Sequence, residues 1–113
     1  MSIHNAVDYI EFLSKDIERA KKFYSEAFGW AFTDYGPEYS SFSSGAIAGG
    51  FALGAPAKGS VLVILYSEAL EASRDAVIAA GGALVKDTFS FPGGRRFHFN
   101  DPDGNELAVW SDK

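Results

Sequence analysis

A carboxylate and an imidazole occur on segments that are otherwise rich in apolar residues. Glu11 lies in the first apolar run of the chain, and His98 lies between Phe97 and Phe99. A carboxylate in such a place can act as a general base or can anchor a donor group of a ligand. Imidazole is the side chain best suited to proton transfer near neutral pH. Glu11 and His98 are therefore the candidate catalytic residues.

Both residues also have interpretations without chemistry. Glu11 can form a structural ion pair with Arg95 or Arg96, because buried carboxylates are normally paired. His98 can be hydrogen-bonded within a sheet and have no chemical role. The residue types alone leave these alternatives open.

The adjacent arginines Arg95 and Arg96 offer the donors of a clamp for an anionic group, since a guanidinium binds a carboxylate through two hydrogen bonds. Successive side chains of a strand point to opposite faces, so only one of the two can contribute. We favour Arg96, which shares a face with His98. The alternative is a solvated strand edge beside Pro92-Gly93-Gly94.

Aromatic residues make up 15% of the chain, with ten Phe among them. This content exceeds what a core of this size needs and fits a cavity or an interface lined with rings. The candidates for a pocket that stacks on a planar ligand are Tyr9, Tyr39, Phe42, Phe51 and Trp110. Core packing or a dimer interface is the alternative for the same rings.

Strand alternation assigns the candidates to faces of their sheets. The residues expected to face a helix are Ile10, Phe12, Phe97, Phe99, Leu107 and Val109. The opposite face, directed toward a ligand cleft, then carries Tyr9, Glu11, Arg96, His98, Ala108 and Trp110, with Glu106 close to a turn.

The elements that must position these residues occur twice in the same order: a strand, a helix and three further strands. The predicted elements of the first half are a strand over 6–12, a helix ending at Gly29 and strands at about 30–35, 39–44 and 46–53. Those of the second half are a strand over 60–66, a helix at about 69–80 and strands at about 83–89, 95–100 and 105–111. The two helices align at an offset of about 52 residues, which places Ala20 on Ala72 and Gly29 on Gly81.

Local signals set the ends of these elements. Asp16 is expected to cap the first helix, and Ser67 or Glu68 the second. The linker-like stretch 54–59 separates the halves, and the segment Asp101-Pro-Asp-Gly-Asn105 predicts a tight turn rather than a calcium loop. The sequence thus predicts one α+β domain over 1–113, built from two tandem βαβββ modules (about 5–54 and 60–112) that form a shared cleft.

Composition excludes several classes of function. The net charge is −5 and no basic run exceeds two arginines, which argues against nucleic acid as a partner. The absence of cysteine excludes disulfides, thiolate metal sites and cysteine nucleophiles. No apolar run approaches the ~18 residues of a membrane span, so no membrane association is expected and we expect a cytoplasmic location.

Three passages resemble the vicinal oxygen chelate superfamily, which groups glyoxalase I, bleomycin-resistance proteins and extradiol dioxygenases. The first runs from Ile10-Glu11-Phe12 through Asp16–Tyr24 to Phe28-Gly29-Trp30. The second is Ala79-Ala80-Gly81-Gly82, and the third is Asn100–Asn105 with Leu107 and Trp110. They occur in the right order over nearly the whole chain, so the set is more specific than any single passage.

The resemblance implies a metal site, and the chain departs from the family at each of its positions. The first-strand ligand position holds Tyr9, and its symmetry-related position holds Val63. The carboxylate of the last strand is replaced by Ala108, and its counterpart falls near Gly49-Gly50-Phe51. Val and Ala cannot ligate a divalent ion, so we expect no metal and no other cofactor. A relocated site using Glu11, His98 or Glu106 would be sparse.

The leading hypothesis is therefore a metal-independent protein of the glyoxalase/bleomycin-resistance type that binds a small aromatic or antibiotic-like ligand in the cleft between modules. Its ligand-binding residues would be Tyr9, Glu11, Tyr39, Phe42, Phe51, Val63, Arg96, His98, Ala108 and Trp110. The alternative is an enzyme of the superfamily, a lyase, isomerase or dioxygenase, with a relocated metal or with metal-free acid–base chemistry. A third alternative is an assembly component whose cleft is filled by side chains. The resemblance also implies a homodimer, since family members commonly pair modules between chains.

Overall fold

The computed structural model describes residues 2–5, 7–57, 59 and 61–113, so part of the predicted linker lies outside the described residues. The first module comprises β1 (Tyr9–Ser14), α1 (Ile17–Phe28), β2 (Ala31–Asp34), β3 (Tyr39–Ser43) and β4 (Ala48–Leu53). The second comprises β5 (Val63–Tyr66), α2 (Leu70–Ala79), β6 (Ala83–Phe91), β7 (Gly94–Asn100) and β8 (Glu106–Ser111). The prediction of an α+β fold with two βαβββ modules is confirmed.

Each module contains one four-stranded mixed sheet, and the two sheets have the same topology. The strand orders are β1-β4-β3-β2 and β5-β8-β7-β6. The first strand of each module pairs in parallel with the last, and the other pairs are antiparallel. The strand that opens each module is thus an edge strand with one unpaired side.

Helix α1 begins and ends as its sequence predicts. The Asp16 carboxylate accepts a hydrogen bond from the Arg19 amide at 3.1 Å, which satisfies one of the free donors of the first turn. Gly29 ends the helix in the left-handed conformation, with φ of 73°. The buried face carries Ile17, Ala20, Phe23 and Tyr24.

Helix α2 begins later than predicted. Its N-cap is Ala69, which has no side chain able to cap, so the assignment of Ser67 or Glu68 is wrong. The Ser67 hydroxyl oxygen instead accepts the Ala69 amide at 3.0 Å, in the turn that precedes the helix. The two N-cap residues, Asp16 and Ala69, are 53 residues apart, which is one more than the predicted offset of 52 between the two helices.

The two helices pack against each other, and two rings of α1 also contact the inner face of the second sheet. The Phe99 ring of β7 lies 6.0 Å from the Phe23 ring and 5.8 Å from the Phe28 ring. Gly82 permits this approach, because a Cβ there would lie 3.0 Å from the Phe23 ring. The modules therefore share one core, and the opposite face of each sheet is left open.

The β7–β8 turn joins the second module to the first through a buried carboxylate. The Asp103 side chain is fully buried and accepts hydrogen bonds from the Ser14 hydroxyl at 2.6 Å and the Lys15 amide at 2.8 Å. Arg19 completes the set with an ion pair at 2.8 Å. The predicted turn is confirmed, and it also holds the modules together.

A second carboxylate of the turn binds α1 directly. The Tyr24 hydroxyl donates to Asp101 at 2.9 Å, and the Asn105 side-chain amide donates to the Leu13 carbonyl of β1 at 3.1 Å. Burial raises the pKa of Asp101, and its hydrogen bonds from Asn105 and Tyr24 oppose that shift.

None of the helices in the described part of the chain has the length and apolar character needed to cross a membrane.

Candidate functional site

The open face of the first sheet carries a pair of hydrogen-bonded tyrosines. The Tyr9 and Tyr39 hydroxyl oxygens are 2.5 Å apart, on β1 and β3 respectively. They meet above Gly50 of β4, where a Cβ would lie 2.3 Å from the Tyr39 oxygen and 2.6 Å from the Tyr9 oxygen. Burial raises the pKa of Tyr39, and the Tyr9 hydroxyl and Glu11 carboxylate add to the increase. We call Tyr9, Glu11 and Tyr39 the tyrosine cluster.

Glu11 does not form the ion pair considered for it. Arg95 pairs with Glu71 of α2, on the helix side of its sheet. Within the described ranges, no ion pair involves Glu11 or Arg96. The Glu11 carboxylate is exposed on the open face, and its negative charge lies beside the phenols of Tyr9 and Tyr39.

The open face of the second sheet is centred on β7. Phe97 and Phe99 are fully buried on the helix side, and alternation places Arg96 and His98 on the other face. We call Arg96, His98 and Asn100 the β7 row, since they occupy successive positions on that face.

An irregularity in β6 adds two residues to this face. Lys86 pairs with His98 and Phe89 pairs with Arg96, and the register shifts between these pairs. Residues three apart on a regular strand point to opposite faces, whereas a bulge re-aims the side chains that follow it. Lys86 and Phe89 therefore share a face, with the Lys86 Nζ 4.2 Å from the centre of the Phe89 ring.

Arg96 lies against two aromatic rings. Its guanidinium carbon is 5.4 Å from the Phe89 ring centre and 5.6 Å from that of Phe91. Its buried Nε has no hydrogen-bond partner among the described residues. Stacking of this kind holds the planar guanidinium in place while leaving its donors for a ligand.

His98 is oriented by a carboxylate. Its Nδ1 lies 2.9 Å from a carboxylate oxygen of Glu106, and its ring centre is 5.9 Å from that of Phe89. A carboxylate accepts hydrogen bonds, which assigns the proton to Nδ1 and leaves Nε2 of the neutral ring as an acceptor. That Nε2 is buried and has no partner in the described ranges.

Trp110 and Ala108 complete this open face on β8. The Trp110 ring lies 5.2 Å from the Tyr66 ring and 6.5 Å from the Phe91 ring. Ala108 pairs with His98 on one side and with Ile64 of β5 on the other. The second open face thus combines half-buried rings with two cations.

Three of the predicted pocket residues belong to the core instead. Phe42 is 6% exposed and Phe51 is fully buried, and both point toward α1 because they alternate with open-face residues of β3 and β4. Val63 packs its side chain against the core, and its neighbour Ile64 takes the open face. The assignment of Phe42 and Phe51 to a ligand-stacking face is therefore wrong, and Val63, predicted as a ligand-binding residue, faces the core rather than the open face.

A cavity of about 590 Å³ lies between the edge strand β1 and the start of β5. Its lining includes Glu11, Leu13, Leu62, Val63 and Glu106. It brings two carboxylates toward the junction of the modules, and Val63 contributes to its wall. A hollow of about 430 Å³ lies beside Tyr9.

The residues at the family's metal positions do not fit a divalent ion. They supply the phenol of Tyr9, no side chain at Gly50 and the methyl group of Ala108, while Val63 faces the core and its outward-facing neighbour Ile64 is also a hydrocarbon. Among the described residues, no group of three or more His, Cys, Asp or Glu side chains could hold a metal ion. Such ions need several nitrogen or oxygen ligands that converge on one point.

Sequence reasoning missed Lys86, Phe89 and Phe91 as members of the second open face. Simple alternation does not reveal a bulge, so the face of Lys86 could not be deduced. A weaker signal was present, since Phe89 and Phe91 are spaced by two with polar residues at Thr88 and Ser90.

The comparisons with known proteins agree with this architecture. The family model described as Glyoxalase/Bleomycin resistance protein/Dioxygenase superfamily matches residues 6–109. The chain therefore belongs to the glyoxalase/bleomycin resistance protein/dioxygenase superfamily. No curated protein sequence matches the chain significantly.

Solved structures share the fold at low sequence identity. A glyoxalase-related enzyme from Fulvimarina pelagi is 24% identical with a TM-score of 0.81, and the match covers 95% of this chain and 88% of that one. A glyoxalase/bleomycin resistance protein/dioxygenase family enzyme from Burkholderia phytofirmans PsJN is 19% identical with a TM-score of 0.83, over 95% and 100% of the two chains. TioX from Micromonospora sp. ML1 is 18% identical with a TM-score of 0.76, over 96% and 100%.

Proposed function

We propose that this protein binds a small, planar, anionic molecule without a metal ion, and that the ligand contacts the open face of the second sheet. The observation that carries the proposal is Arg96, a half-buried cation stacked on Phe89 and Phe91 with no carboxylate partner among the described residues. A desolvated guanidinium without a counter-charge costs free energy that a bound anion recovers.

The charges around Arg96 support an anionic ligand. Lys86 adds a second cation on the same face, above the Phe89 ring. The chain as a whole is acidic, with a net charge of −5, so two neighbouring cations that form no ion pair with any described residue are a local exception. The half-buried rings of Phe91 and Trp110 add apolar area for stacking on an aromatic ligand.

A second copy of the chain would complete the cleft. Exposed apolar residues occur on β1 and β5 of both open faces, among them Tyr9, Ile64 and Tyr66. In a homodimer the tyrosine cluster of one copy would face the β7 row of its partner. The ligand would then lie between the Glu11 carboxylate of one copy and the Arg96 and Lys86 cations of the other, whose face also carries Glu106, with rings on both sides.

Metal independence is part of the proposal and has its own test. The hydrocarbon groups at the family's metal positions support it. Mass spectrometric metal analysis of untagged protein, purified without chelators, should give far less than one equivalent of Zn, Ni, Mn or Fe. Stoichiometric metal would refute this part.

The binding site is tested with a matched pair of arginine variants. Arg96→Met keeps the apolar stem but removes the guanidinium, and Arg95→Met does the same on the helix side of the strand. Calorimetric titration with a panel of aromatic carboxylates should detect binding to the wild type and to Arg95→Met, with at least about tenfold weaker binding to Arg96→Met. Equal affinities in the two variants would place the ligand elsewhere.

The His98–Glu106 pair favours a second candidate function, metal-free acid–base catalysis. A carboxylate that fixes one imidazole nitrogen leaves the other to accept a proton from a substrate. If an activity is found, His98→Ala should reduce kcat by about 100-fold or more. Retention of full activity by both His98→Ala and Glu11→Gln would exclude this mechanism.

A further inference from the structure

The cavity between β1 and the start of β5 has mostly apolar walls. Its volume of about 590 Å³ falls within the range of roughly 300–1,000 Å³ that is typical of small-molecule sites. The hydrocarbon side chains of the lining include Ile10, Phe12, Leu13, Leu62 and Val63. Phe12 and Val63 also pack against the shared core. The apolar part of a ligand in this cavity would therefore rest on the edge of that core.

The polar side chains of the lining are all hydrogen-bond acceptors or carry one. They belong to Glu11, Asn105 and Glu106, and no lysine, arginine or histidine occurs among the described lining residues. Glu106 binds His98 through one carboxylate oxygen, Oε2, and its other oxygen has no described partner. Glu11 forms no ion pair within the described ranges. The cavity thus has two carboxylates and no described counter-charge.

Asn105 supplies a third acceptor from a side chain that is nine-tenths buried, since the residue is only 9% exposed. Its Nδ2 donates to the Leu13 carbonyl and to the Asp101 carboxylate, both at 3.1 Å. These two bonds use both N–H groups of the amide, so Oδ1 is the atom left to accept from an occupant of the cavity. Oδ1 has no hydrogen-bond partner among the described residues. A shielded acceptor of this kind is stabilised by a donor.

The two carboxylates lie on either side of one contact between the modules, the bond from Asn105 to the Leu13 carbonyl. Glu106 follows Asn105 directly, at the start of β8. Glu11 precedes Leu13 by two residues, a separation of about 7 Å along the strand. A cation at this point would therefore lie close to both negative charges. A primary ammonium has three N–H donors and no acceptor, which suits a site made of acceptors.

We infer that this cavity binds a small primary amine with an apolar body. The ammonium donates to Glu106 and to Asn105 Oδ1 near the Glu11 carboxylate, and the apolar body packs on Phe12 and Val63. The site is separate from the open face around Arg96 and prefers the opposite charge, so it goes beyond the proposed function. A neutral ligand of the same shape would leave the two carboxylates without a counter-charge.

Calorimetric titration with 4-phenylbutylamine, 4-phenyl-1-butanol and butylamine tests the inference. The wild type should bind 4-phenylbutylamine at least about tenfold more tightly than the alcohol, as expected for charge-assisted hydrogen bonds. Butylamine should also bind at least about tenfold more weakly, because it buries less apolar area. Glu11→Gln and Glu106→Gln should each reduce the preference for the amine over the alcohol by about threefold or more. Leu62→Trp, which places a larger side chain in the cavity, should abolish amine binding.

Glu26→Gln is the matched control. Glu26 is exposed on α1 and forms no ion pair among the described residues, so the substitution removes the same charge and should preserve the preference. Equal wild-type affinities for the amine and the alcohol would overturn the inference. A preference that survives in both Glu11→Gln and Glu106→Gln would overturn it too, as would the absence of amine binding at millimolar concentration.

Two further outcomes would assign the cavity to another occupant and so overturn the inference. Lys58 lies between two lining residues in the sequence, and amine binding that occurs only in Lys58→Gln would identify the chain's own lysine as the occupant. Amine affinity that falls as the protein concentration rises through the dimerisation range would identify a second copy. The carboxylate panel tests the Arg96 face independently of all these results.

Discussion

The adjacent glycines of β4, Gly49 and Gly50, leave room for different neighbours. A Cβ at Gly49 would lie 2.2 Å from the Ile10 carbonyl oxygen, which is backbone and cannot move aside. A Cβ at Gly50 would meet the ends of two tyrosine side chains, which can rotate. Gly49 therefore serves the packing of β1 on β4, and Gly50 serves the tyrosine cluster.

We predict that Gly49→Ala lowers the free energy of unfolding by about 3 kcal/mol, since overpacking against backbone forces a strand to shift. Gly50→Ala should cost less than about 1 kcal/mol but should separate the Tyr9 and Tyr39 hydroxyls. Urea denaturation of both variants measures the difference. Equal losses would contradict the separate roles assigned to the two glycines.

The raised pKa of Tyr39 predicts how the stability of the fold changes in alkaline solution. A phenol whose folded-state pKa exceeds its unfolded value stabilises the fold fully below about pH 10, and this contribution is lost as the pH rises through the folded-state pKa. Wild-type stability should therefore fall above about pH 10, and less steeply in Tyr39→Phe. Glu11→Gln should lower the pKa of Tyr39, because it removes a nearby negative charge.

Urea midpoints at about pH 9 and about pH 11 measure the effect on stability, and the ultraviolet absorbance of phenolate follows the titration itself. Tyr35→Phe, at an exposed position, is the matched control. An identical pH slope in wild type and Tyr39→Phe would show that burial and hydrogen bonding do not hold this proton.

At the scale of elements, the two helices differ in how they begin. Asp16 caps α1 with its carboxylate, whereas Ala69 leaves the first turn of α2 without a side-chain acceptor. The second module thus has a helix at the corresponding position but no N-cap side chain. This leaves α2 open to stabilisation by a single substitution.

We predict that Ala69→Ser raises the free energy of unfolding by about 1 kcal/mol, and that Asp16→Ala lowers it by about the same amount. Glu68→Ser, one position earlier, serves as the control and should change stability little. Chemical denaturation checks all three variants. A gain from Glu68→Ser that matches the gain from Ala69→Ser would show that Ala69 is not the capping position.

The sequence was sufficient for the order of elements and for most strand faces, because apolar periodicity decides both. Alternation alone placed Arg96 and His98 on the open face and Phe97 and Phe99 in the core. Phe51 was assigned to the pocket because it is aromatic, and the structure places it in the core while Gly50 faces outward.

On β5, the resemblance gave Val63 as the counterpart of Tyr9, whereas Ile64 is the residue that faces outward. A one-residue slip exchanges the two faces of a strand, so small register errors produce complete errors of direction. The contribution of Lys86 and Phe89 depends on a bulge, which arises from pairing between strands and has no local signature.

At the scale of the whole molecule, exposed apolar residues lie near both unpaired strand edges. Tyr9 and Ile64 are each 44% exposed on open faces, and Ile47 is equally exposed beside β4. Edge strands with such surfaces invite association with another chain.

We predict a homodimer at micromolar concentration, with Ile64→Glu shifting the chain to the monomer because a buried charge would oppose association. Size exclusion with light scattering should give about twice the 12.2 kDa monomer mass for the wild type. Ile78→Glu, on the solvent side of α2, controls for the added charge. A monomeric wild type would count against a cleft completed by a second copy.

The buried Asp103 carboxylate has a consequence for how the two halves depend on each other. Its bonds to Ser14, Lys15 and Arg19 join the modules through space, independently of the chain that links them. We therefore predict that the covalent connection is not needed to hold the modules together and that the protein tolerates being split there. Fragments 1–57 and 58–113, produced together, should copurify as one folded complex, and Asp103→Ala should weaken that complex without removing the shared apolar core.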